Sequence, residues 1–214
     1  VRGEPSGRRK FMDELLVLRS PRLSAVIADY ERVLKQRNTL LKSARASGVR
    51  GAQLSTLEIW DDRLVAFGSE IIAARSALVD ELSPEVSSAY TAIAGSDHSA
   101  TLSTYLSVFA STPDEETGEE SATRSGLVTI DAAAEGFRAA LARLRRAELD
   151  RGITLAGPHR DDLVLGLNGL AARGYASHGE SWSFALALKL ASAAVLRREA
   201  SAGDPVLILD DVFA

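Results

Sequence analysis

The fold of this chain is decided at Ser177-His178-Gly179-Glu180, four residues that stand directly before an apolar segment at residues 182–196. Serine and glycine in that place are typical of a helix start, where the first backbone N–H groups lack helical partners and carry a partial positive charge. An anion can bind there. Further along, Val206-Leu207-Ile208-Leu209 ends in Asp210-Asp211, which predicts a buried strand followed by two carboxylates.

These two motifs, in this order, predict the second half of an ATPase site. P-loop NTPases hold Mg²⁺ and orient the attacking water with acidic residues that follow an apolar strand. ABC-type ATPases use a Ser-x-Gly-Glu turn to present a hydroxyl and free N–H groups to a nucleotide bound by a partner subunit. Alone, Ser177 and Gly179 would be ordinary helix capping, and the acidic pair would end a buried strand at a cost in desolvation. Their order along the chain favours the ATPase interpretation.

Two longer runs carry a resemblance to a known family. Residues 152–163 and 173–186 resemble the RecF family of bacterial DNA replication and repair proteins, in its actinobacterial form. Upstream, Arg8-Arg9-Lys10-Phe11-Met12-Asp13 and residues 30–42 are similar to the middle region of that family, so the resemblance covers nearly the whole chain. It implies an α/β fold, the head portion of an ABC/SMC-like ATPase, with a long helical arm built as an antiparallel helical hairpin and a β-rich return segment.

The resemblance also implies roles for individual residues and partners. Ser177, Gly179 and Glu180 would contact ATP, Asp210 would hold both the nucleotide and Mg²⁺, and Asp211 would be catalytic, where many ABC ATPases have a glutamate. The implied function is ATP-dependent DNA binding at gaps or single-strand/double-strand junctions, through an ATP-dependent homodimer that helps load recombinase with RecO and RecR type mediators. The implied location is the cytoplasm, at the nucleoid.

The sequence contains no Gly-x-x-x-x-Gly-Lys-Ser/Thr, the loop that cradles nucleotide phosphates. We therefore expect an internal to C-terminal fragment of a longer protein, ending at Ala214 soon after the acidic pair, and inactive as an ATPase by itself. Two alternatives remain. The chain could belong to another ABC/SMC-like ATPase subunit, or it could be a non-catalytic interaction arm with vestigial nucleotide motifs. A P-loop found upstream would discriminate between them.

Charge is distributed unevenly within the net charge of −4. Residues 1–50 carry 12 Lys and Arg against 5 Asp and Glu, residues 51–150 carry 7 against 17, and the remainder carries 6 against 7. Clustered basic side chains are the electrostatic footprint of a phosphate-binding surface, although a solvated helix face has a similar composition. The residues predicted to bind DNA are Arg8, Arg9, Lys10, Lys35, Arg37 and Lys42.

Long helices organise residues 1–150, which we assign to a helical arm of the lobe II type. After Pro21, apolar residues keep a three-four spacing that Arg37 interrupts, and a second such series begins at residue 54. The apolar positions of the first helix are Val26, Tyr30, Val33 and Leu40. A Ser-Gly-rich connection separates the two series and predicts an antiparallel hairpin. The second helix, residues 53–82, would be about 45 Å long at ~1.5 Å per residue, an arm and not a compact bundle.

The remaining elements are shorter. Residues 102–109 read as a strand, residues 113–126 as a mobile acidic loop, and Asp131 as the cap of a helix that reaches Asp150. Residues 151–214 are assigned to the ATPase head, as a β-hairpin, the helix after Ser177 and the acidic strand. Strands are predicted at 153–156, 163–167 and 170–175, the last two joined by Asn168-Gly169, a strong hairpin signal.

The motif Gly157-Pro158-His159-Arg160-Asp161-Asp162 admits several interpretations. One metal ion cannot be held by successive residues of an extended strand, because their side chains alternate between faces. We favour a network at the strand end, in which Arg160 and the carboxylates link the arm to the ATPase core, over direct contact with nucleotide or DNA.

Bulk composition excludes several classes. The chain has 214 residues, 46% of them hydrophobic, enough for a core in one or two domains. The absence of cysteine excludes a disulfide scaffold and thiolate metal sites. Ser183, Lys189 and Ser192 interrupt the apolar segment, so no stretch reaches membrane length. The start at Val1-Arg2-Gly3 lacks the features of a secretion leader. We expect a cytoplasmic protein with no membrane partner.

Overall fold

The computed structural model of the chain describes residues 1, 3–47, 54–95, 98–110, 123–199, 203–204 and 206–208. The fold is α/β, mostly helical with a small antiparallel sheet. The helices are α1 (Pro5–Arg19), α2 (Arg22–Ser47), α3 (Leu54–Ala94), α4 (Ile130–Arg151), α5 (Ala172–Tyr175) and α6 (His178–Glu199). The strands are β1 (Thr101–Tyr105), β2 (Thr123–Arg124), β3 (Asp162–Leu167) and β4 (Leu170–Ala171), in the sheet order β2-β1-β3-β4.

The chain divides into two compact units. The helical unit consists of Glu4–Val79 and Ser103–Val164. The signature unit consists of Val1–Gly3, Asp80–Leu102 and Leu165–Ala214. These division points differ from the boundary near residue 150 that the sequence suggests, because α3, β1 and β3 each contribute residues to both units.

Helices α2 and α3 of the helical unit are antiparallel. Arg22 at the start of α2 pairs with Glu70, and Arg37 further along α2 binds Asp61, which lies earlier in α3. The residue numbers of the contacts on α3 therefore decrease as those on α2 increase. The two helices run in opposite directions, which confirms the predicted hairpin. The hairpin does not stand alone, because α1 and α4 both pack against α2.

The inward face of α2 follows the predicted spacing with one shift. Its buried residues are Leu23, Val26, Tyr30, Val33, Arg37, Leu41 and Ala44. Arg37 is itself one of the inward positions, so the spacing continues from it to Leu41. Leu40, which the sequence series included, is only half-buried.

Helix α3 continues well beyond the predicted end at Leu82. Pro84 lies inside it, at an exposed position where the missing N–H costs least. Val86 and Tyr90 continue the apolar spacing and are fully buried in the signature unit, at 0% exposure. Packing of these two side chains outweighs the local preference of proline to end a helix.

Helix α4 begins two residues earlier than predicted. Thr129 is the N-cap, since its hydroxyl accepts a hydrogen bond from the backbone N–H of Ala132 at 3.2 Å, and Asp131 lies inside the first turn. Gly152 ends the helix with φ 72°, the left-handed conformation that favours glycine. The inward-facing residues include Phe137, Leu141 and Leu144, and all are buried.

The sheet is smaller than the sequence indicates. Strand β1 ends at Tyr105, and a 3-10 turn at Ser107–Phe109 takes up the rest of the predicted strand. The hairpin is confirmed: Gly166 pairs with Ala171 and Leu167 with Leu170, across Asn168 and Gly169 with φ of 51° and 77°. Such paired positive φ angles match the twist of the flanking strands. Residues 153–156 are not a strand, and residues 172–175 form α5 instead.

Two predicted segments fall partly outside the described residues. Of the acidic loop at 113–126, residues 113–122 lie outside, while Thr123 and Arg124 form β2. Of the predicted strand at 206–209, Val206, Leu207 and Ile208 are described, exposed and without strand structure. A strand is defined by hydrogen bonds to a neighbour, and the described part of the chain gives these residues none. Asp210 and Asp211 lie outside the described residues.

Candidate functional site

The start of α6 is closed by a reciprocal pair of hydrogen bonds. The backbone N–H of Glu180 donates to Ser177 Oγ at 3.2 Å, and the backbone N–H of Ser177 donates to Glu180 Oε2 at 2.7 Å. This is a capping box, in which the serine and glutamate three residues apart satisfy each other's N–H groups. It fixes the position of both side chains at the N-terminus of the helix.

The capping box leaves polar groups available at the surface. Ser177 and Gly179 are exposed, and the Ser177 hydroxyl both accepts from the N–H of Glu180 and lies in hydrogen-bond contact with the Glu180 carboxylate. The N–H of Gly179 lies in the first turn, where helices have no internal acceptors. This turn can therefore offer the Gly179 N–H to an anion, and an anion could also take the Ser177 hydroxyl from Glu180, the chemistry that the sequence predicts for Ser177 and Gly179.

Glu180 brings a negative charge to the same turn. Hydrogen bonds from Ser177 hold its carboxylate in the ionised form and lower its pKa. Its other oxygen, Oε1, lies 3.8 Å from His98 Nδ1. An incoming phosphate would meet this charge, so Glu180 is better suited to ordering the turn than to contacting a nucleotide directly.

An aromatic cluster positions α6 within the signature unit. The ring of Phe184, on the inward face of α6, lies 5.7 Å from the ring of Tyr90 on α3. Tyr90 also lies 5.7 Å from the ring of His98. Phe184 and Tyr90 are both fully buried. The helix start is thus presented by a packed core, as a binding turn requires.

The acidic pair of the predicted site, Asp210 and Asp211, cannot be placed, since both lie outside the described residues. Among the described residues, no group of three or more His, Asp or Glu side chains is arranged to hold a metal ion. The assignment of Mg²⁺ to Asp210 and of catalysis to Asp211 therefore stays a prediction.

Arg37, predicted to bind DNA, lies at the centre of a buried network in the helical unit. Its exposure is 0%. The guanidinium donates to Asp61 Oδ1 at 2.7 Å, Thr154 Oγ1 at 2.7 Å and Glu148 Oε2 at 2.6 Å. Burial lowers the pKa of Arg37, but the charges and hydrogen bonds of Glu148 and Asp61 outweigh it and raise that pKa. Because the side chain is buried and hydrogen-bonded to these partners, it is not available at a DNA-binding surface.

Arg8 is likewise buried, at 9% exposure. It donates to both carboxylate oxygens of Asp162, from Nε at 2.8 Å and from Nη2 at 2.5 Å, which ties α1 to the start of β3. Of the predicted DNA-binding residues, Lys10, Lys35 and Lys42 are exposed and Arg9 is half-buried. These four remain candidates for contact with phosphate.

The motif at 157–162 forms the strand-end network that the sequence favours. Asp161 Oδ1 accepts hydrogen bonds from Ser107 N at 2.9 Å and Ser107 Oγ at 2.8 Å, and Ser107 Oγ also accepts from Gly157 N at 2.9 Å. Asp162 pairs with Arg8 as described above. Arg160 takes a smaller part than predicted, with a single 3.5 Å contact to the carbonyl of Thr154.

Two titratable groups of this motif are strongly shifted. Burial raises the pKa of Asp161 to about 6, against the opposing effects of Arg75 and Ser107. Its second oxygen, Oδ2, is buried without a hydrogen-bond partner among the described residues. Burial lowers the pKa of His159 to about 4. Nδ1 of the neutral imidazole lies 2.7 Å from the Tyr30 hydroxyl. His159 therefore makes a structural contact with Tyr30 and does not act as a metal ligand.

Sequence reasoning missed several members of these networks. Ser107 carries no signal, because its partners Asp161 and Gly157 are remote in sequence. Arg75 is also missed: it donates to both oxygens of Asp13 at 2.8 Å and to the carbonyl of Pro158 at 2.7 Å. Its signal was present, since a charged residue within an apolar helical series is typical of a buried ion pair.

Among the helices that the structure describes, none combines the length and apolar character that a bilayer crossing requires. No family model matches the chain. Curated relatives match it over its whole length. The chain is 61% identical to the DNA replication and repair protein RecF of Clavibacter sepedonicus, 59% identical to that of Leifsonia xyli subsp. xyli and 50% identical to that of Frankia alni. It covers 53%, 55% and 54% of these proteins, so it spans about half the length of the relatives it matches.

Solved structures agree. The structure of the recombination mediator protein RecF-ATPrS in the RecFOR pathway superposes with a TM-score of 0.81 at 27% identity, over 100% of this chain and 52% of that one. The corresponding RecF-ATP structure gives a TM-score of 0.79, also at 27% identity, over 99% of this chain and 51% of that one. Over its whole length, the chain is thus similar to about half of a RecF protein, in sequence and in fold.

Proposed function

We propose that a full-length protein carrying this chain binds DNA under the control of ATP and Mg²⁺, and acts in recombinational repair and replication restart. ATP would join two copies on gapped or junction DNA, where the dimer would help to load recombinase together with RecO and RecR type mediators. The observation that carries this proposal is the match over the whole chain to RecF proteins, at up to 62% identity.

The geometry of the α6 start supports the nucleotide part of the proposal. Ser177 is held by the capping box with its hydroxyl exposed, and the N–H of Gly179 follows it at the positive end of a helix of 22 residues. These groups would contact the γ-phosphate of ATP bound by the second copy. Because ADP lacks that phosphate, the contact would exist only before hydrolysis, and ATP would hold the dimer together.

The exposed cations of α2 support the DNA part. Lys35 and Lys42 are seven residues apart, so they lie on the same face of a straight helix, and both are exposed. Contacts from Lys to phosphate are independent of base sequence and release counterions, which makes affinity fall steeply with salt. Arg8 and Arg37 are not assigned to this surface, because both are buried and paired with carboxylates.

The experiment that tests the DNA surface is a salt titration of DNA affinity in the full-length protein with ATP. Lys35→Glu together with Lys42→Glu should weaken binding, and should flatten the plot of log affinity against log salt by about one to two units. The matched control is Arg138→Glu with Arg146→Glu, an equal change of charge at exposed positions of α4. An unchanged slope in the α2 variant, or an equal change in the control, would rule out this surface.

A further inference from the structure

A cleft of about 460 Å³ opens within the helical unit, between α1, α2, α3 and the turn at Pro158 and His159. Its apolar floor includes Ile27, Leu34 and Ile71. This volume lies in the range of about 300–1,000 Å³ that is typical of sites for small molecules or parts of larger ligands. None of the functions proposed above uses the cleft as a whole.

The residues that α1 contributes form one face of that helix. Ser6, Arg9, Lys10, Asp13 and Glu14 line the cleft, and their spacing of three and four residues places them on the same side. The charges are separated along this face: the N-terminal half carries a hydroxyl and two cations, and the C-terminal half carries two carboxylates. The N-terminal half also lies at the positive end of the helix, whose first turn contains no acidic residue.

Among the described residues that line the cleft, Arg75 and Lys10 are paired with carboxylates, whereas the Arg9 side chain donates to a backbone carbonyl. Arg75 is matched with Asp13 through two hydrogen bonds of 2.8 Å, and Asp162 is matched with Arg8. Among the described residues, the hydrogen-bond acceptor of Arg9 is a backbone carbonyl, that of Asp161, at 2.9 Å. Burial, followed by repulsion from Arg75, lowers the pKa of Arg9, and the nearby carboxylates offset this only in part.

We propose that the N-terminal half of this face, made of Ser6, Arg9 and Lys10, binds a phosphate group in the cleft. Arg9 supplies the guanidinium fork that matches phosphate oxygens, Lys10 supplies a second charge, and Ser6 supplies a hydroxyl at the helix start. The site stands on this geometry alone and does not require ATP hydrolysis or dimerisation. The phosphate can belong to a small phosphate ester or to the backbone of a nucleic acid, which share this chemistry.

The other polar residues of the cleft limit where the phosphate lies. Glu14 forms an exposed pair with Lys10 at 3.7 Å, and Glu31 lines the cleft from α2. Both would repel an anion, so the phosphate lies toward Ser6 and Arg9. His159 is poorly placed to bind the phosphate, because its Nδ1 lies 2.7 Å from the Tyr30 hydroxyl.

The test is an NMR titration of the 214-residue chain with phenyl phosphate, which carries one phosphate on an apolar body. Saturable shifts should appear at the amides of Ser6 and Arg9 and at the Nε–H of Arg9. Arg9→Gln should weaken binding about tenfold, whereas Glu14→Gln should tighten it about twofold by removing a repelling charge. The control is Arg146→Gln, which removes one charge from an exposed position of α4 and should leave the affinity unchanged.

A competition arm identifies the source of the phosphate. Duplex DNA that displaces phenyl phosphate, with the same dependence on Arg9, assigns the site to a nucleic-acid backbone. Phenyl phosphate that stays bound at saturating DNA assigns it to a small phosphorylated molecule. Absence of saturable shifts in the folded chain, or equal weakening in Arg9→Gln and Arg146→Gln, overturns the proposal. If Arg9→Gln does not fold, Lys10→Gln at a side chain of 76% exposure replaces it, with weaker binding expected.

Discussion

Arg37 illustrates how a single residue can carry charge without contributing to a charged surface. Its guanidinium joins α2 to Asp61 of α3, Glu148 of α4 and Thr154 of the following segment. Taking these groups out of water is costly, and only their mutual hydrogen bonds offset that cost. Removing the arginine would leave Glu148, itself at 0% exposure, as an uncompensated buried charge.

We therefore expect Arg37→Met to destabilise the chain by about 3–5 kcal/mol, the usual cost of breaking a buried ion pair on one side. Urea denaturation followed by circular dichroism measures this change. Lys35→Met is the matched control on the same helix, because Lys35 is exposed, and it should change stability by less than about 0.5 kcal/mol. Equal, small changes in the two variants would contradict the role given to Arg37.

Asp161 predicts a pH dependence. Its folded-state pKa, raised to about 6 from an ordinary value of 3.8, means that the folded chain resists ionisation more than the unfolded chain does. The unfolded state then binds fewer protons between these values, so this residue's contribution to stability is lost as pH rises from about 4 to about 6. Asp161→Asn cannot ionise, and should gain on the parent over that window by up to about 3 kcal/mol.

The comparison must be made between variant and parent at each pH. His159, with its pKa lowered to about 4, acts in the opposite direction: its contribution is present above its ordinary pKa of 6.5 and is lost as pH falls toward 4. In the parent, the effects of Asp161 and His159 on stability partly cancel. In the difference between the Asp161→Asn variant and the parent, the effect of His159 is common to both proteins and only that of Asp161 remains. A difference in unfolding free energy that is the same at pH 4 and pH 7 would show that Asp161 does not titrate as described.

The turn at Gly157 shows the same interdependence at the scale of an element. Its φ of 124° lies where side chains are strained, and an added Cβ would lie 2.6 Å from both Phe137 Cζ and the Tyr30 hydroxyl oxygen. The segment after α4 therefore packs against α2 and α4 only because this position lacks a side chain. Its backbone N–H, donated to Ser107 Oγ at 2.9 Å, holds the segment to the 3-10 turn.

Gly157→Ala should accordingly destabilise the helical unit by about 2–4 kcal/mol, the sum of backbone strain and overpacking. Gly174→Ala provides the control, since a Cβ there meets nothing within 4 Å. Thermal unfolding of both variants decides the matter. If the Gly157→Ala and Gly174→Ala proteins unfold at the same temperature, the turn adapts to a side chain at little cost in stability.

Elements with strong local signals could be predicted from the sequence. The three-four spacing predicted α2, the capping position near Asp131 predicted α4, and Asn168-Gly169 predicted the hairpin of β3 and β4. Where packing between distant segments determines the local structure, the sequence prediction was wrong. Helix α3 passes Pro84 because Val86 and Tyr90 are buried, and residues 153–156 are held in a non-strand conformation by bonds such as that from Thr154 N to Asn38 Oδ1 at 2.8 Å.

The residues of the candidate site also differ in how well the sequence predicts them. Ser177 and Glu180 were identified because the Ser-x-Gly-Glu turn is a local sequence pattern, and in the structure these two residues form a capping box. Composition placed Arg8 and Arg37 among the predicted DNA-binding residues, because it shows charge but not the carboxylates that pair with each side chain in the fold. For Arg37 the apolar series on either side was the available signal, since an arginine at an inward position requires buried partners.

At the scale of the whole molecule, the proposed function requires two copies. A ligand shifts a monomer–dimer equilibrium only if it binds one state better than the other. In the proposed arrangement the γ-phosphate of ATP in one copy meets Ser177 and Gly179 of the other, and ADP lacks this contact. The exposed Tyr175 and Trp182, at 73% and 44%, flank the turn in sequence, where an interface would cover them.

The most direct test is sedimentation velocity of a full-length protein carrying Ser177→Arg, in saturating ATP and Mg²⁺. The large cation would occupy the space required by the partner's phosphate, while the nucleotide site of each monomer would remain intact. We predict that ATP binding to the monomer stays nearly unchanged, that dimerisation and hydrolysis are lost, and that Ala185→Arg, which adds the same charge at an exposed position of α6, still dimerises. A Ser177→Arg protein that sediments as a dimer with the parent's affinity would contradict the account.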